Sequence, residues 1–506
     1  MNKKATKFFN YFFLVLIGFL AISNLFVYSY PYFSQGVDLA KISFQNPITI
    51  VISLFLFAVI LLVFNYLTAK KYMIIILLLV SFSFKVFWII NWPIDNYYDM
   101  TSVYTFASDI FTIPDYLPIT GFHYLKIYDY NIPLVLIDLL YINIAGLDKV
   151  YFLGRIINLI CLLLIDFGIY ITTLEIFDKK IAIRALFLSV LFFPFTGFIS
   201  VIYNDINSCM VFIYALYFFI KYIKTFKNKY MFIALAFLIV ANTLRSIGII
   251  FFIAFSLYLI FTRLKKAFFF ILFGIFIFLI SNFSMTSYYG TIGILDSNEK
   301  SMSIPITHYL AIGLSNGING ETPGYYSPYL NDYYFKDFNY DSEEFLEISK
   351  SNLINNIESI GIDGLPLHYI TKYLLQWTDG CFETQLVNSF IPDKSQSPIT
   401  YENNSNTREF FTDNKLVYGL IIKYSNAYWL MILLSTFVYA FKSIKDGRVT
   451  ALLKIIIMGV MGFYILWEIS PHYSFVALPY FIILSAKGME IIRKFIRRKY
   501  YEIKNI

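Results

Sequence analysis

Ile132-Pro133-Leu134-Val135-Leu136-Ile137-Asp138-Leu139-Leu140-Tyr141-Ile142-Asn143-Ile144 is apolar enough to enter a bilayer but short for crossing one. As a helix it extends only ~20 Å, against ~30 Å of hydrocarbon. Asp138 sits in its middle, and a carboxylate at membrane depth is expensive. How this run is read decides the fold. Counted as a span, it inverts every helix that follows.

The surrounding charges choose between the two readings. The chain has 506 residues, 58% hydrophobic and 14% charged, whereas soluble domains are roughly 25% charged. It therefore reads as an all-α polytopic membrane protein. Twelve further apolar runs, at 8–27, 48–67, 73–90, 150–177, 181–202, 206–223, 231–244, 247–261, 267–283, 416–441, 452–467 and 474–486, are candidate spans. Basic clusters lie at Lys3/Lys4/Lys7, Lys70/Lys71, Lys179/Lys180/Arg184, Lys221/Lys224/Lys227/Lys229, Arg263/Lys265/Lys266, Lys442/Lys445/Arg448 and Arg493/Lys494/Arg497/Arg498/Lys499. With 132–144 tucked at the surface or re-entrant, the positive-inside rule puts all of them in the cytoplasm. About twelve transmembrane helices and two cytoplasmic termini follow.

The net charge of +7 is then mostly topological and implies no nucleic acid. Cys161 and Cys209 lie in apolar runs and Cys381 stands alone, so no disulfide framework or metal spacing follows. The first apolar run is too long for a signal-peptide core and reads as a retained helix. Three modules are expected: 1–283, an N-terminal transmembrane module with a first outer loop at 91–131; 284–414, a mixed extracellular subdomain inserted before the last three spans; and 415–506, a C-terminal transmembrane module with a basic cytoplasmic tail. Within 284–414 an acidic helix is expected at 342–360. An amphipathic one at 366–377 can lay its apolar face on the membrane, with Trp377 gating the acceptor.

The same topology gathers the chemically interesting residues outside. In the first outer loop, Trp92-Pro93-Ile94-Asp95-Asn96-Tyr97-Tyr98-Asp99 sets two carboxylates where a span emerges. Spaced i, i+4, they share a face if the segment is helical, and either suits a general base for an acceptor hydroxyl. The alternative is a helix cap plus a solvated acid. Arg245 and Arg155 lie near outer helix ends, and a guanidinium fork fits phosphate; the alternative is snorkelling to headgroups. Glu468, His472 and Tyr473 share a tight outer turn that also reads as a polar hairpin cap. Asn204-Asp205 can contact substrate or serve as a helix N-cap. None of the four histidines has zinc-ligand spacing, and no P-loop or dinucleotide glycine pattern occurs. Neither a metal nor a cofactor is expected.

The order of these parts resembles the multipass glycosyltransferases that include the protein O-mannosyltransferases and bacterial aminoarabinose transferases, most nearly a Gram-positive branch. The matching pieces are Pro93 and Asp95, Gly154-Arg155, Leu244-Arg245, His308 to Leu314 (HYLAIGL), Lys372 to Gly380 (KYLLQWTDG) and Trp467 to Tyr473 (WEISPHY). The resemblance implies a GT-C-like fold, a polyprenyl-phosphate sugar donor, a catalytic acid in the first outer loop and inverting transfer outside the cell membrane. The acceptor would be a cell-envelope glycan, lipid or protein. Asp95 or Asp99 would be the base. Arg245, Arg155 and His472 would hold the donor phosphate, and Asn204, Asp205, Trp377, Glu468 and Tyr473 would line the substrate. Three departures stand out: an extra hairpin of spans before the acidic loop, His472 where many relatives have Arg, and an acid pair split by three residues. A polymerase of lipid-linked repeat units shares this topology. A lipid-linked-sugar transporter would show Gly/Pro-broken midplane helices and internal repeats, and the sequence has neither.

Overall fold

The computed structural model describes residues 3–34, 37–92, 98–112, 125, 128–262, 267–291, 304–317, 322–325, 342–385, 415–444 and 448–504. The chain is an all-α polytopic membrane protein. Nine helices among the described residues are long and apolar enough to cross a membrane. The first three are α1 (Lys3–Phe26), α2 (Pro47–Tyr66) and α3 (Lys71–Asn91). Outside the spans follow α4 (Tyr98–Thr112) and α5 (Ile132–Ala145). Helix α5 is not among the nine, so the short run that opened the topology question stays short.

The next stretch holds α6 (Val150–Ile176), α7 (Lys179–Val190), α8 (Asn204–Thr225), α9 (Asn228–Leu244), α10 (Gly248–Thr262) and α11 (Ala267–Thr291). Sequence dictates the breaks. Asp178 caps α7 by accepting from the backbone N–H groups of Lys180 (2.9 Å) and Ile181 (3.0 Å). After α7 comes a single helical turn, Phe193–Gly197, with Pro194 inside its first turn, where a missing N–H costs nothing. Helices α9 and α10 are each too short for the nine.

The last third contributes α12 (Ile306–Gly313), α13 (Ser342–Trp377), α14 (Lys415–Lys442), α15 (Arg448–Leu466) and α16 (Leu478–Lys504). Helix α14 packs on α1, α2 and α16. At the α14–α16 crossing a Cβ on Gly488 would collide with the Ser435 carbonyl, so glycine is what lets the backbones meet. Inside the bundle Lys85 pairs with Asp166 at 2.9 Å, and Ser81 donates to the same carboxylate at 2.6 Å. A charge pair out of water survives only when its hydrogen bonds are made, and this one ties α3 to α6.

One finding departs from the sequence reading. Val27–Ser34 and Val37–Phe44 form an antiparallel hairpin, in register from Val27↔Phe44 to Ser34↔Val37. Its period of two puts Tyr28, Tyr30 and Tyr32 on one face and the buried Ser29 and Pro31 on the other. The helices expected at 342–360 and 366–377 are both present, as the two arms of α13 on either side of a non-helical Gly361 (φ 69). The second arm leaves Ile362, Leu367 and Ile370 exposed and sends its last turn, with Tyr373, Leu375 and Trp377, into the core. Tyr373 donates to the Leu16 carbonyl at 3.2 Å. Trp377 is 1% exposed, packs on Phe481 and Trp429, and accepts the Trp429 indole N–H at 2.8 Å. Trp377 is thus a packing residue of the core among the described residues.

Lys372 on the same arm has a structural task. Its ammonium donates to the carbonyls of Gly313 (2.5 Å), Ile465 (2.8 Å) and Trp467 (2.8 Å). Gly313 and Ile465 are last-turn carbonyls of α12 and α15, which have no partner within their own helices, and Trp467 follows α15 directly. One buried lysine thereby fixes the turn that carries Glu468 and His472.

Candidate active site

Alternation of the helices puts Lys70/Lys71, Lys221/Lys224, Arg448 and the Arg493–Lys499 cluster at one end of the bundle. The loops holding Asp99, Tyr203, Arg245 and Glu468 lie at the other.

The first loop supplies an acid. Asp95 lies outside the described residues, as does the question of whether it shares a helix face with Asp99. Asp99 is exposed in the first turn of α4. The flanks of the acid segment are pinned to the turn before α8: Ser200 Oγ donates to the Trp92 carbonyl at 3.1 Å, and the Ile202 N–H reaches Met100 Sδ at 3.0 Å. Tyr203 Oη stands 3.1 Å from Asn131 Oδ1 and 3.4 Å from Asp99 Oδ2. Its single proton serves one acceptor at a time.

The second component is a buried ion pair. Asp205 binds Arg245, whose guanidinium lies 5.3 Å from the Tyr473 ring centroid. The N-cap of α8 is Tyr203, and no side chain caps it. Asn204 is therefore the first helical residue rather than a cap, and its buried Oδ1 has no hydrogen-bond partner among the described residues. Asp205 sits in the first turn, where the helix dipole favours a carboxylate. Arg245 interrupts α9 and α10 with extended backbone (φ −153, ψ 116), which swings its side chain across to α8. Arg155 is buried on α6, next to Gly154, which packs against Ile202 of the same turn.

The third component is the turn after α15. Tyr473 donates to Glu468 Oε1 at 3.1 Å. Burial pushes the Glu468 carboxyl up to about 7, and the Asp99 charge adds to this against the Tyr473 hydrogen bond. Trp467 stacks on Tyr309 at 4.9 Å. The HYLAIGL stretch thus sends Tyr309 to the site, while its neighbour His308 is 1% exposed and packs on Phe345. His472 stacks on Phe198 at 6.0 Å. Its Nδ1 faces Glu383 Oε2 and lies 2.6 Å from Ser470 Oγ.

Glu383 is the residue sequence reasoning missed. It ends a buried turn that continues directly from the KYLLQWTDG stretch. Asp379 accepts from the N–H groups of Cys381 (2.9 Å) and Glu383 (2.7 Å). Gly380 leaves no room for a side chain: a Cβ would stand 2.5 Å from the Ser425 carbonyl oxygen. Phe382 (φ 50) and Glu383 (φ 64) are both left-handed, at ~1–3 kcal/mol each for non-glycine residues. Strain of this size persists where the surroundings over-determine it. The available signal was an acid four residues beyond Asp379, just outside the stretch that carries the resemblance.

No family model and no curated protein matches the chain. Two solved structures match it at 14% and 15% identity, with TM-scores of 0.42 and 0.43. They are the archaeal oligosaccharyltransferase AglB from Archaeoglobus fulgidus in complex with an inhibitory peptide and a dolichol-phosphate, and the Archaeoglobus fulgidus oligosaccharyltransferase in the apo form. Each match covers 86% of this chain and 52% of the other, so the chain spans about half the length of those proteins. At that similarity, activity has to be read from the site.

Proposed function

We propose that the protein is an integral-membrane glycosyltransferase that moves a sugar from a polyprenyl-phosphate donor to a cell-envelope acceptor on the outer face of the membrane. The observation that carries the reading is convergence. Asp99, Tyr203, Asp205, Arg245, Glu468, His472 and Tyr473 come from four separate segments and meet at the bundle end away from the basic clusters. Scattered caps and snorkelling side chains would have no reason to coincide.

The chemistry is balanced as follows. Asp99, or Asp95 in the same loop, takes the proton of the acceptor hydroxyl. The oxygen attacks the anomeric carbon, and the bond from that carbon to the phosphate oxygen breaks. The electron pair leaves with the phosphate, which goes from a diester with one negative charge to a monoester with up to two. Arg245, Arg155 and His472 supply positive charge and N–H donors where that charge appears. Tyr203 and Asn131 orient the acid, and Glu468 and Tyr473 contact the sugar. An open, mostly apolar surface on α3, lined by Ile76, Leu79, Val80, Ser83, Phe84 and Phe87, is where the prenyl chain would lie. The membrane modules 1–283 and 415–506 would hold the donor, and 284–414 the acceptor.

The test is transfer from a purified polyprenyl-phosphate sugar by the reconstituted protein, with Asp95→Asn and Asp99→Asn alongside wild type. Turnover that survives in both variants with folding intact would remove the acid loop from the mechanism and point to a transporter.

A further inference from the structure

His472 presents an arrangement that phosphate binding alone does not require. Its Nδ1 is held by Glu383, a side chain with no solvent exposure, and by Ser470. The carboxylate is an acceptor, so the ring proton on Nδ1 belongs to that contact. Nε2 is the atom left over. It has no protein partner among the described residues, on a side chain that keeps 18% of its surface open. The ring plane is fixed between Phe198 (6.0 Å) and Tyr473 (4.5 Å). Gln376 secures the same turn by donating to the Ser470 carbonyl (2.7 Å) and Ser474 Oγ (2.6 Å).

Resting on the reading above, we infer that Glu383 and His472 form a carboxylate–imidazolium pair whose Nε2–H donates to the departing phosphate, with Glu383 as the positioning residue that keeps the ring aimed and charged. A phosphate monoester dianion takes up a proton at about pH 6, close to the ~6.5 of imidazole. The proton can therefore be shared with, or passed to, the phosphate oxygen as the anomeric bond breaks. His472 is left neutral when transfer is complete and regains the proton when polyprenyl phosphate leaves. Glu383 is suited to this because its turn, locked by Asp379 and Gly380, brings a carboxylate to the ring without a flexible side chain to order. The other charged groups facing His472 are Asp205, Arg245 and, on its own turn, Glu468. Glu383 is the carboxylate in direct contact with the ring.

The experiment measures binding of farnesyl monophosphate to the purified full-length protein from about pH 5.5 to about pH 9, a range that spans imidazole titration. Wild type should lose about tenfold in affinity towards alkaline pH, about one unit of imidazole ionisation energy. Glu383→Gln should shift that loss to lower pH by about one unit or more, the usual effect of removing an adjacent carboxylate. His472→Arg stays charged throughout, so its binding should be flat with pH, and adding Glu383→Gln to it should change little. Equal losses from Glu383→Gln in both backgrounds would make Glu383 merely structural and overturn the inference. If Glu383→Gln does not fold, His472→Asn leaves the turn intact and should abolish the pH dependence; retained dependence would overturn the inference equally. Binding that is flat with pH in wild type sinks this inference alone. No binding at any pH sinks the donor reading and this inference with it.

Discussion

Replacing Arg245 by Met should destabilise the protein and abolish transfer, and the two effects can be separated. Arg245 and Asp205 are 12% and 3% exposed, so the pair is nearly out of water. Removing the guanidinium strands the Asp205 carboxylate, and breaking a buried pair on one side costs ~3–5 kcal/mol. Neutralising both partners costs much less, because no uncompensated charge remains. Arg245→Met should therefore lower the melting midpoint in detergent, and Arg245→Met with Asp205→Asn should recover most of the loss. Activity should not recover, since the phosphate has lost its fork. Arg245→Lys keeps the charge and should fold well. It should still bind a prenyl phosphate more weakly, since hydrogen bonds to charged groups contribute ~1.5–3 kcal/mol, roughly 10- to 100-fold. The assays are a thermal unfolding series and prenyl-phosphate titration on each variant. A single mutant as stable as wild type, or a double mutant no better than the single, would refute the claim that the pair is desolvated. Full transfer by the double mutant would refute the phosphate role.

Transfer assayed with Asp99→Asn or Asp95→Asn should collapse by ~10²–10⁴-fold in whichever variant has lost the base, with donor binding retained. With Cys161, Cys209 and Cys381 all buried, an impermeant thiol reagent on intact cells should label Ile362→Cys and leave Lys227→Cys untouched; the reverse pattern would put the site in the cytoplasm. Glu468 has its folded pKa raised from 4.5 to about 7, so its stabilising contribution is present at low pH and lost as pH rises across that window. Glu468→Gln should gain stability relative to wild type between those values and no further above them, as read from melting midpoints against pH. Gly380→Ala should cost ~1–3 kcal/mol by overpacking against fixed backbone, and should weaken His472-dependent phosphate binding along with the fold.

The topology was legible because lipid imposes it. A bilayer demands long apolar helices and biases basic residues to one side, and both constraints are local in sequence. That is why nine of the expected spans and the shortness of 132–144 could be read from the chain, whereas 181–202 breaks after Val190 and 231–244 and 247–261 fall short of membrane length. The misses have physical causes as well. The core packing of Trp377 was not legible because amphipathicity does not say what covers an apolar face; here Phe481 packs on it. Asn204 and Asp205 looked like a cap because a polar pair before an apolar run usually is one, and the competing attraction from Arg245 lies 40 residues away.

By itself the sequence determined which segments are long and apolar enough to cross a membrane and which polar and charged groups lie in the loops between them. Only the tertiary structure decided which of those groups touch. Arg245 reaches Asp205 across two helices, Tyr203 reaches Asp99 from 104 residues away, and His472 meets Glu383 over a separation of 89. The reason is that hydrophobic burial is proportional to area and leaves its mark on every residue as periodicity, whereas a hydrogen bond or ion pair depends on a distance of a few ångströms. That distance is set by the close approach of backbones at Gly488, the capping of two helix ends by Lys372 and a left-handed turn at Phe382 and Glu383, none of which repeats along the chain.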